Sequence, residues 1–350
     1  MLFRSLVYDD RLEAIVAVLG ETVSPAGRAA DARPHVLVPA RAAVIGADRP
    51  PNEWLISDQR VYLTYRLDTA AGQKADLCVV ITGGGSRAEH EALFQQAIGQ
   101  WPRVLAEAYA YGDWLAGRLE VADPLLHGLF TATLHCAVSA YHESPTGDFR
   151  ALTPAADWPL EEVATLPADA FWCSQVLLPF RPEWVRAQVL TLAGAVHDDG
   201  SLARGIRTPA HPHAAPGDPT AGPYDWQPDA CDSPSYFAML VHDYLAWTGD
   251  TGLLDYRQGP RTVWETVLAC VNHLRGQDVN RDYLFEKRAQ QPDWQADVRR
   301  DDWVTYDLAL HCRALKDAAE VALLRGEEET ARDLATWAAG AQRAIQERLW

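Results

Sequence analysis

The 350-residue sequence contains very little lysine, which occurs only at Lys74, Lys287 and Lys316. Asp and Glu number 48 against 31 Lys and Arg, so the formal net charge is −17 at pH 7. A field of this sign repels polyanions at long range. Nucleic acids and anionic membrane surfaces are therefore poor partners for this chain.

Long apolar runs are also missing. No segment approaches the roughly 20 apolar residues that span a bilayer, and residues 1–10 place acids where a signal peptide needs its apolar stretch. We therefore expect a cytoplasmic protein. The six cysteines lack any Cys-x-x-Cys spacing, and several fall on apolar faces of predicted helices, so we expect buried free thiols.

Apolar and aromatic side chains, by contrast, are abundant. Hydrophobic residues make up 48% and charged residues 23%, which is typical of a globular chain with a large core, and we expect two domains. The 13 Trp and 12 Tyr exceed what such a core needs. Most of these rings belong to the core, but sugar sites also use flat aromatic faces.

Residues 1–90 consist of short runs with β-strand character, separated by Gly, Pro and Asp clusters. The clearest runs are His35–Pro39, Val61–Tyr65 and Leu77–Thr82. This pattern predicts an antiparallel β-sandwich domain. Apolar residues then recur at helical spacing from Ile98 to Leu115, which predicts a linker helix over residues 91–120.

Residues 121–350 follow a helical pattern. Asp123-Pro124 combines an N-cap with proline at the first helical position, and similar starts occur at Pro182 and at Ser233-Pro234, where Ser233 is assigned as the cap. The helix after Ser233 is expected to end at Thr248-Gly249-Asp250. Further helices are predicted over residues 260–274, 303–325 and 328–349.

Short turns on one side of these helices and long connections on the other describe αα-hairpins laid side by side, as in an α/α-toroid. The predicted fold is therefore mixed: an antiparallel β-sandwich followed by the front part of an (α/α)6 barrel. About three hairpins fit the sequence, and the pattern reaches Leu349-Trp350 without a stop signal. We therefore expect the chain to be part of a longer enzyme.

Two predicted connections, residues 198–232 and 275–302, exceed the roughly 12–15 residues of an ordinary loop, and such loops often carry a site. In the first connection, carboxylates can accept hydrogen bonds from sugar hydroxyls and a guanidinium can donate to them. An aromatic ring can stack on the apolar face of the sugar. The predicted sugar-binding residues here are Arg204, Asp225, Trp226 and Asp232. His211 and His213 lack a third ligand at a defined spacing, so no metal site is predicted.

The second connection places Asp293 and Asp297 among tryptophans. Apolar surroundings raise the pKa of a carboxyl group, and glycosidic cleavage needs an acid that stays protonated near neutral pH, together with a second carboxylate. Asp297 is the first choice for this acid and Asp293 the second, while Trp294 and Trp303 are predicted to contact substrate. Alternatively, Arg299 and Arg300 neutralise these acids in an ion-pair network.

Four segments, in their order and spacing, resemble the six-hairpin glycosidases, the (α/α)6-barrel glycoside hydrolases with amylo-α-1,6-glucosidase-like, trehalase-like and rhamnosidase-like members. These segments are Phe171–Arg186, Asp199–Ser201, Asp232–Pro234 with Tyr244–Asp250, and Asp293–Asp297. The resemblance covers residues 123–350. It implies an N-terminal β-sandwich, a pocket formed by loops at one end of the barrel, and an inverting mechanism.

The same resemblance implies that Asp169 and Trp172 bind sugar. The family's Arg-Asp pair ahead of Phe171 is Ala168-Asp169 in this sequence, so the arginine is missing. The family's catalytic base lies late in the barrel, which implies a partner carboxylate beyond residue 350.

These observations predict hydrolysis of O-glycosidic bonds in an oligosaccharide or glycoside, without a metal or organic cofactor. An inverting phosphorylase on the same scaffold would use inorganic phosphate as the nucleophile. A catalytically inactive carbohydrate-binding protein would bind sugar and turn over none. A sugar isomerase or epimerase would need a histidine pair facing the substrate.

Overall fold

The computed structural model describes residues 3–9, 14–19, 41–57, 60–84, 87–117, 121–143, 150–152, 164–207, 224–225, 228–288, 291–295, 298 and 300–350. The chain divides into two compact units, Met1–Arg118 and Leu119–Trp350. None of the described helices combines the length and the apolar character that crossing a bilayer requires.

The first unit contains a four-stranded antiparallel sheet and a separate hairpin. Its strands are β1 (Phe3–Asp9), β2 (Ala14–Leu19), β3 (Arg41–Ala47), β4 (Glu53–Ser57), β5 (Arg60–Thr64) and β6 (Val79–Gly84). The sheet has the order β1-β2-β3-β6, and β4 pairs with β5. The runs expected at Val61–Tyr65 and Leu77–Thr82 are confirmed as β5 and β6, whereas His35–Pro39 lies outside the described residues.

A long helix, α1 (Arg87–Ala116), packs against β3 and β6. Phe94 of α1 and Val44 of β3 are fully buried against each other, with Val80 and Ile98 beside them. The helix expected from Ile98 to Leu115 is therefore present and begins earlier than the sequence pattern indicated. The four-stranded sheet gives this unit its antiparallel β-character, and a sandwich of two sheets stays a prediction.

The second unit is rich in helices. They are α2 (Pro124–Ser139), α3 (Pro167–Leu177), α4 (Pro182–Ala193), α5 (Ser233–Thr248), α6 (Val263–Arg275), α7 (Thr305–Leu324) and α8 (Glu328–Arg348). Its short strands are β7 (Tyr141–Glu143), β8 (Arg150–Leu152), β9 (Ala164–Thr165), β10 (Ile206–Arg207), β11 (Tyr224–Asp225), β12 (Arg257–Gln258) and β13 (Arg261–Thr262).

Consecutive helices form antiparallel-type pairs, α3 with α4, α5 with α6, and α7 with α8. Helix α5 also packs against α3 and α7, so these three lie side by side in the interior. Every residue of α5 from 233 to 241 is buried, as expected for a helix with neighbours on several sides. The arrangement is that of an α/α-toroid-like, helix-rich protein.

Local sequence signals account for several helix ends. The Asp123 carboxylate accepts hydrogen bonds from the backbone N–H groups of Leu125 (2.8 Å) and Leu126 (3.3 Å), which confirms it as the N-cap of α2. Gly249 ends α5 with φ 68°, the left-handed conformation that glycine adopts without steric cost. Both predictions are confirmed.

One cap and one cysteine differ from expectation. Ser233 is the first helical residue of α5 rather than its cap, because Asp232 already occupies the flanking position. All six cysteines are free, and Cys231, Cys270 and Cys312 are buried as predicted. Cys136 is exposed, because α2 buries Leu134 and Ala137 and leaves this thiol on another face.

Candidate functional site

The N-terminal ends of α3, α5 and α7 meet at one place in the second unit. The ring of Tyr236, in the first turn of α5, lies 5.3 Å from the ring of Phe171 in α3. Its hydroxyl lies 2.8 Å from the hydroxyl of Tyr306 in the first turn of α7. The three interior helices therefore present their N-terminal residues to a common region.

The two long connections run side by side at this region. The backbone N–H of Cys231, from the first connection, donates to the carbonyl of Pro292 in the second at 2.9 Å. The Arg204 Nη2 group donates to the carbonyl of Trp294 at 3.3 Å. Segments that are far apart in sequence are thus held together where the helices begin.

A directional chain of hydrogen bonds leads into the site. The Tyr306 hydroxyl donates to Asp232 Oδ2 at 3.3 Å. Because this uses the only Tyr306 proton, Tyr236 donates its own proton to Tyr306. The chain of hydrogen bonds therefore runs from Tyr236 through Tyr306 to Asp232.

Asp232 is a buried carboxylate that does not cap the helix it precedes. It makes no side-chain cap hydrogen bond to α5, which leaves its oxygens directed to Tyr306. Burial, followed by the negative charge of Asp293, raises the pKa of Asp232 to about 6. That Asp232 faces a sugar-binding cleft stays a prediction.

Asp293 is held in a buried ion-pair cluster. Its Oδ2 accepts a hydrogen bond from Lys287 Nζ, and its Oδ1 accepts from Arg300 Nη2 at 2.6 Å and from the backbone N–H of Gln295 at 2.8 Å. Burial alone would raise the pKa of Asp293, but these bonds, that from Lys287 first, hold the pKa below its usual value.

The environment of Asp293 corrects one prediction. A general acid must keep its proton near neutral pH, and a carboxyl with a lowered pKa does not meet that requirement. The ion-pair alternative, with Arg300 as one neutralising group, describes Asp293 better. Lys287, which the sequence argument did not use, is the other.

Asp307, in the first turn of α7, shares the same buried cation. Its Oδ2 lies 3.2 Å from Lys287 Nζ as an ion pair, and neither of its carboxylate oxygens has a hydrogen-bond partner among the described residues. Burial raises the pKa of Asp307 to about 7, with Lys287 opposing the shift and the charges of Asp232 and Asp293 adding to it. The site therefore contains carboxyl groups that titrate near neutral pH.

Two indoles at the site remain largely open. Trp172 is 60% exposed and packs edge-on against Phe171, while Trp294 is 54% exposed and packs edge-on against Tyr306 at 6.1 Å. Burial raises the pKa of Asp169, with the charge of Arg204 opposing, so these residues lie within electrostatic reach of each other. Contacts through Phe171, Tyr236 and Tyr306 place Trp172, Trp294 and Arg204 in the same region as Asp232.

The remaining predicted residues lie elsewhere or outside the description. The Trp303 ring packs on the core next to Leu274 and Leu308, has Arg348 5.1 Å from its centre, and lines a surface cavity of about 490 Å³ with Tyr306. Asp225 belongs to β11, where its backbone pairs with Ile206. Its side chain and the residues Trp226, Asp297, His211 and His213 lie outside the described part of the chain.

One group of side chains has a spacing compatible with a metal ion. Ligand atoms of His242, Asp243 and Asp317 lie within 4.8 Å of one another, and this is the group of that kind found among the described residues. Arg313 bonds both carboxylates, to Asp317 at 2.7 Å and to Asp243 at 3.1 Å. A guanidinium thus already supplies the positive charge, and the group is an ion-pair network between α5 and α7.

Sequence reasoning missed four residues of the site, Tyr236, Lys287, Tyr306 and Asp307. The two tyrosines and Asp307 lie in the first turns of helices, where no sequence signal distinguishes them from other helix residues. Lys287 had one usable signal, because it is one of three lysines in a strongly acidic chain and follows the apolar pair Leu284-Phe285. Its partners could not be inferred, since Asp307 lies 20 positions further along.

The structure is similar in fold to known protein structures. No protein-family model and no curated protein matches the sequence. The structure matches a bacterial glucoamylase complexed with acarbose, with a TM-score of 0.51 and 12% identity over 87% of this chain. It also matches a rhamnosidase from Klebsiella oxytoca with rhamnose bound, with a TM-score of 0.46 and 16% identity over 66% of this chain.

The chain spans only 44% of the glucoamylase chain and 40% of the rhamnosidase chain. The glucoamylase match nevertheless covers both the sheet unit and the helical unit for most of their length. The chain therefore resembles the glucoamylase in fold over the matched region, and the resemblance predicted from its sequence is confirmed at the level of fold alone.

Proposed function

We propose that this protein is a glycoside hydrolase that cleaves O-glycosidic bonds of an oligosaccharide at the N-terminal ends of α3, α5 and α7. The observation that carries the proposal is the placement of two open indoles, Trp172 and Trp294, next to the buried carboxylate of Asp232. Indole faces suit the apolar face of a pyranose, and carboxylates accept protons from its hydroxyls. The fold shared with a glucoamylase supports the same class.

Within this proposal the acidic residues have separate roles. Asp297, three positions after Trp294, is the general acid that protonates the leaving oxygen. Asp232, largely ionised above its pKa of about 6, binds sugar hydroxyls. Asp293 serves as a fixed negative charge that orders the loop, because Lys287 and Arg300 keep it ionised.

Other predicted residues complete the sugar-binding surface. Asp169 and Arg204 lie within electrostatic reach of each other, and together they offer an acceptor and a donor for a sugar hydroxyl. Asp225, Trp226 and Trp303 remain proposed contacts from the sequence. The proposal also keeps the inverting mechanism, the N-terminal β-sandwich and a cytoplasmic location.

The direct test is turnover of aryl glycosides by the purified full-length enzyme in phosphate-free buffer. We expect release of nitrophenol from at least one member of a panel that includes α-glucosides and α-rhamnosides, with no loss of rate after dialysis against a chelator. Proton NMR of the first sugar released should show the anomer opposite to that of the substrate. Retention of configuration would contradict the inverting mechanism.

Two other outcomes would replace the hydrolase assignment. Formation of a sugar phosphate only when inorganic phosphate is present would identify a phosphorylase. Calorimetric binding of acarbose without turnover of any glycoside would identify a carbohydrate-binding protein that has lost catalysis. A change in the free sugar without bond cleavage would identify an isomerase.

A further inference from the structure

Lys287 is a buried ammonium group that connects two elements of the site. It is only 3% exposed, and its Nζ bonds Asp293 on the connection before α7 while lying 3.2 Å from Asp307 on α7 itself. Burial would lower the pKa of Lys287, but the hydrogen bond to Asp293 and the negative charge of Asp307 raise it. The side chain is therefore charged and pairs with both elements at once.

The backbone of Lys287 closes the segment that carries the proposed acid. Its N–H donates to the Asp302 carbonyl at 3.0 Å, and the Asp302 N–H donates back at 2.9 Å. This pair joins the two ends of residues 288–301, which we call the acid loop. The acid loop contains Trp294, Asp297 and Arg300.

Within the acid loop, Asp293 is the point to which the side chain of Lys287 is tied. Arg300 reaches the same carboxylate from the far side of the loop, and the Gln295 N–H binds it from within. The Pro292 carbonyl accepts the Cys231 N–H, which connects the loop to the start of α5. Each of these contacts gathers the loop around Asp293.

A lysine suits this position for a chemical reason. An ammonium group is a compact charge with three donors, so it can bind carboxylates on different elements at the same time. A buried ion pair need not stabilise the fold, since desolvation offsets much of the attraction. What the pairing of Lys287 does accomplish is to fix where the acid loop lies relative to α7.

We propose that Lys287 is a positioning residue that locks the acid loop, whose sequence includes Asp297, onto the N-terminal end of α7 and thereby holds Trp294 in the site. The catalytic consequence rests on the proposed function. The locking itself does not, because it is a property of the fold. The nearby charged and titratable groups are Asp232, Asp293, Asp307, Arg300 and the thiol of Cys231.

The scarcity of lysine allows a direct test on the unmodified protein. Amine acylation at pH 8, followed by peptide mass spectrometry, reports on three side chains, and Lys74 and Lys316 are exposed. We expect Lys287 to react at least about tenfold more slowly than Lys316, because it is reached only through local opening. Equal rates for Lys287 and Lys316 would overturn the proposal.

Substitution of Asp293 distinguishes two causes of slow Lys287 acylation, the ion pair with the loop and burial alone. In Asp293→Asn the ammonium loses its ionised partner on the loop, so Lys287 should acylate several-fold faster while Lys316 keeps its rate. Asp301→Asn, an exposed change in the same loop, is the matched control and should leave both rates unchanged. An unchanged Lys287 rate in Asp293→Asn would also overturn the proposal.

A second set of variants tests the loop itself. The acid loop contains trypsin sites at Arg288, Arg299 and Arg300. Lys287→Met should speed cleavage at these sites by loosening the loop, Lys287→Arg should restore part of the wild-type rate, and Lys316→Met should behave as wild type. Protection in Lys287→Met equal to that of wild type would refute the locking role even if the protein remains folded.

Kinetics connect the loop to the site where turnover is found. Lys287→Met should lower kcat more than it raises KM, and Lys287→Arg should recover part of kcat, because the acid is misplaced while other sugar contacts remain. Acylation and proteolysis need no substrate. Failure of the proposed function would therefore show as absent turnover with a locked loop, and failure of this inference as an unlocked loop.

Discussion

Asp232, Asp293 and Asp307 lie in one buried cluster, yet their pKa values move in different directions. Burial raises the values of Asp232 and Asp307, whereas hydrogen bonds from Lys287, Gln295 and Arg300 lower that of Asp293. The cluster thus contains one carboxylate that stays ionised and two carboxyl groups that accept protons as the pH falls toward neutral and below.

The raised pKa of Asp307 predicts a measurable pH dependence of stability. Between the ordinary value of 3.8 and about 7, the folded state binds more protons at this group than the unfolded state does. Its contribution to the free energy of unfolding therefore falls as the pH rises through that window. Asp307→Asn, which cannot titrate, should flatten the decline in urea unfolding measured from pH 4 to pH 8.

The comparison is made as a difference between wild type and variant, which cancels the opposite trend from Asp293. Asp301→Asn serves as the control, because that residue is exposed. Identical pH profiles for wild type and Asp307→Asn would show that Asp307 titrates normally in the folded protein.

Asp297 is the residue on which the proposed chemistry depends. Asp297→Asn removes the proton donor without changing the size of the side chain, so turnover of glycosides should fall by at least about a hundredfold, the usual scale for a general acid. Affinity for the released sugar, measured by calorimetry, should change little. A variant with wild-type rates would place the acid at another residue.

Sequence reasoning found most of the polar residues of the site but not their partners. Asp232, Asp293, Trp294 and Arg204 were identified because acids, rings and a guanidinium lay on long connections. The ionisation of Asp293 was not predictable in the same way. It depends on which cations the fold places beside the Asp293 carboxylate. The sequence near Asp293 contains several arginines, but Lys287 had been given no role.

At the scale of elements, an ion-pair network ties α5 to α7 away from the candidate site. His242 on α5 lies 3.0 Å from Asp243 and 2.9 Å from Glu320 on α7, with Asp317 and Arg313 of α7 completing the network. The hydrogen bond to Asp243, and then that to Glu320, raises the pKa of His242 to about 9 against the opposing effect of burial.

This network predicts a second pH effect with its own window. The folded state holds the His242 proton between pH 6.5 and about 9, so the associated stability is complete below 6.5 and is lost as the pH rises to about 9. The loss should be about 2–3 kcal/mol. His242→Gln should remove it in chemical unfolding, and His135→Gln, exposed on α2, should not. Equal pH profiles for wild type and His242→Gln would contradict it.

Helices with a clear polar boundary were predictable, and one without it was not. The start of α2 at Asp123, the end of α5 at Gly249 and the turn between α7 and α8 follow from capping residues and glycine. Helix α3 was not identified as a helix, although its sequence carried the family resemblance. It buries Ala170, Phe171, Ser174 and Leu177 but leaves Trp172 open, so its apolar residues form no single stripe.

At the scale of the whole molecule, the sequence predicted the order of the secondary-structure elements better than the contacts between distant segments. A β-rich beginning, a long helix and a series of helix pairs were all anticipated from periodicity. The meeting of the two long connections was required by the proposed site but could not be deduced, because it depends on contacts such as those of Cys231 with Pro292 and Arg204 with Trp294. Had these connections lain apart, the proposal would have failed.

The central claim is that a saccharide binds between the open indoles of Trp172 and Trp294, and it is tested by comparing three tryptophan variants. Trp247 lies in the last turn of α5, away from Tyr236, and is 59% exposed, so Trp247→Ala is a matched control. On the aryl glycoside that wild type cleaves fastest, Trp172→Ala and Trp294→Ala should each lower kcat/KM by about tenfold or more, and Trp247→Ala by less than about twofold. A loss confined to Trp247→Ala, or no loss in any variant, would contradict the account.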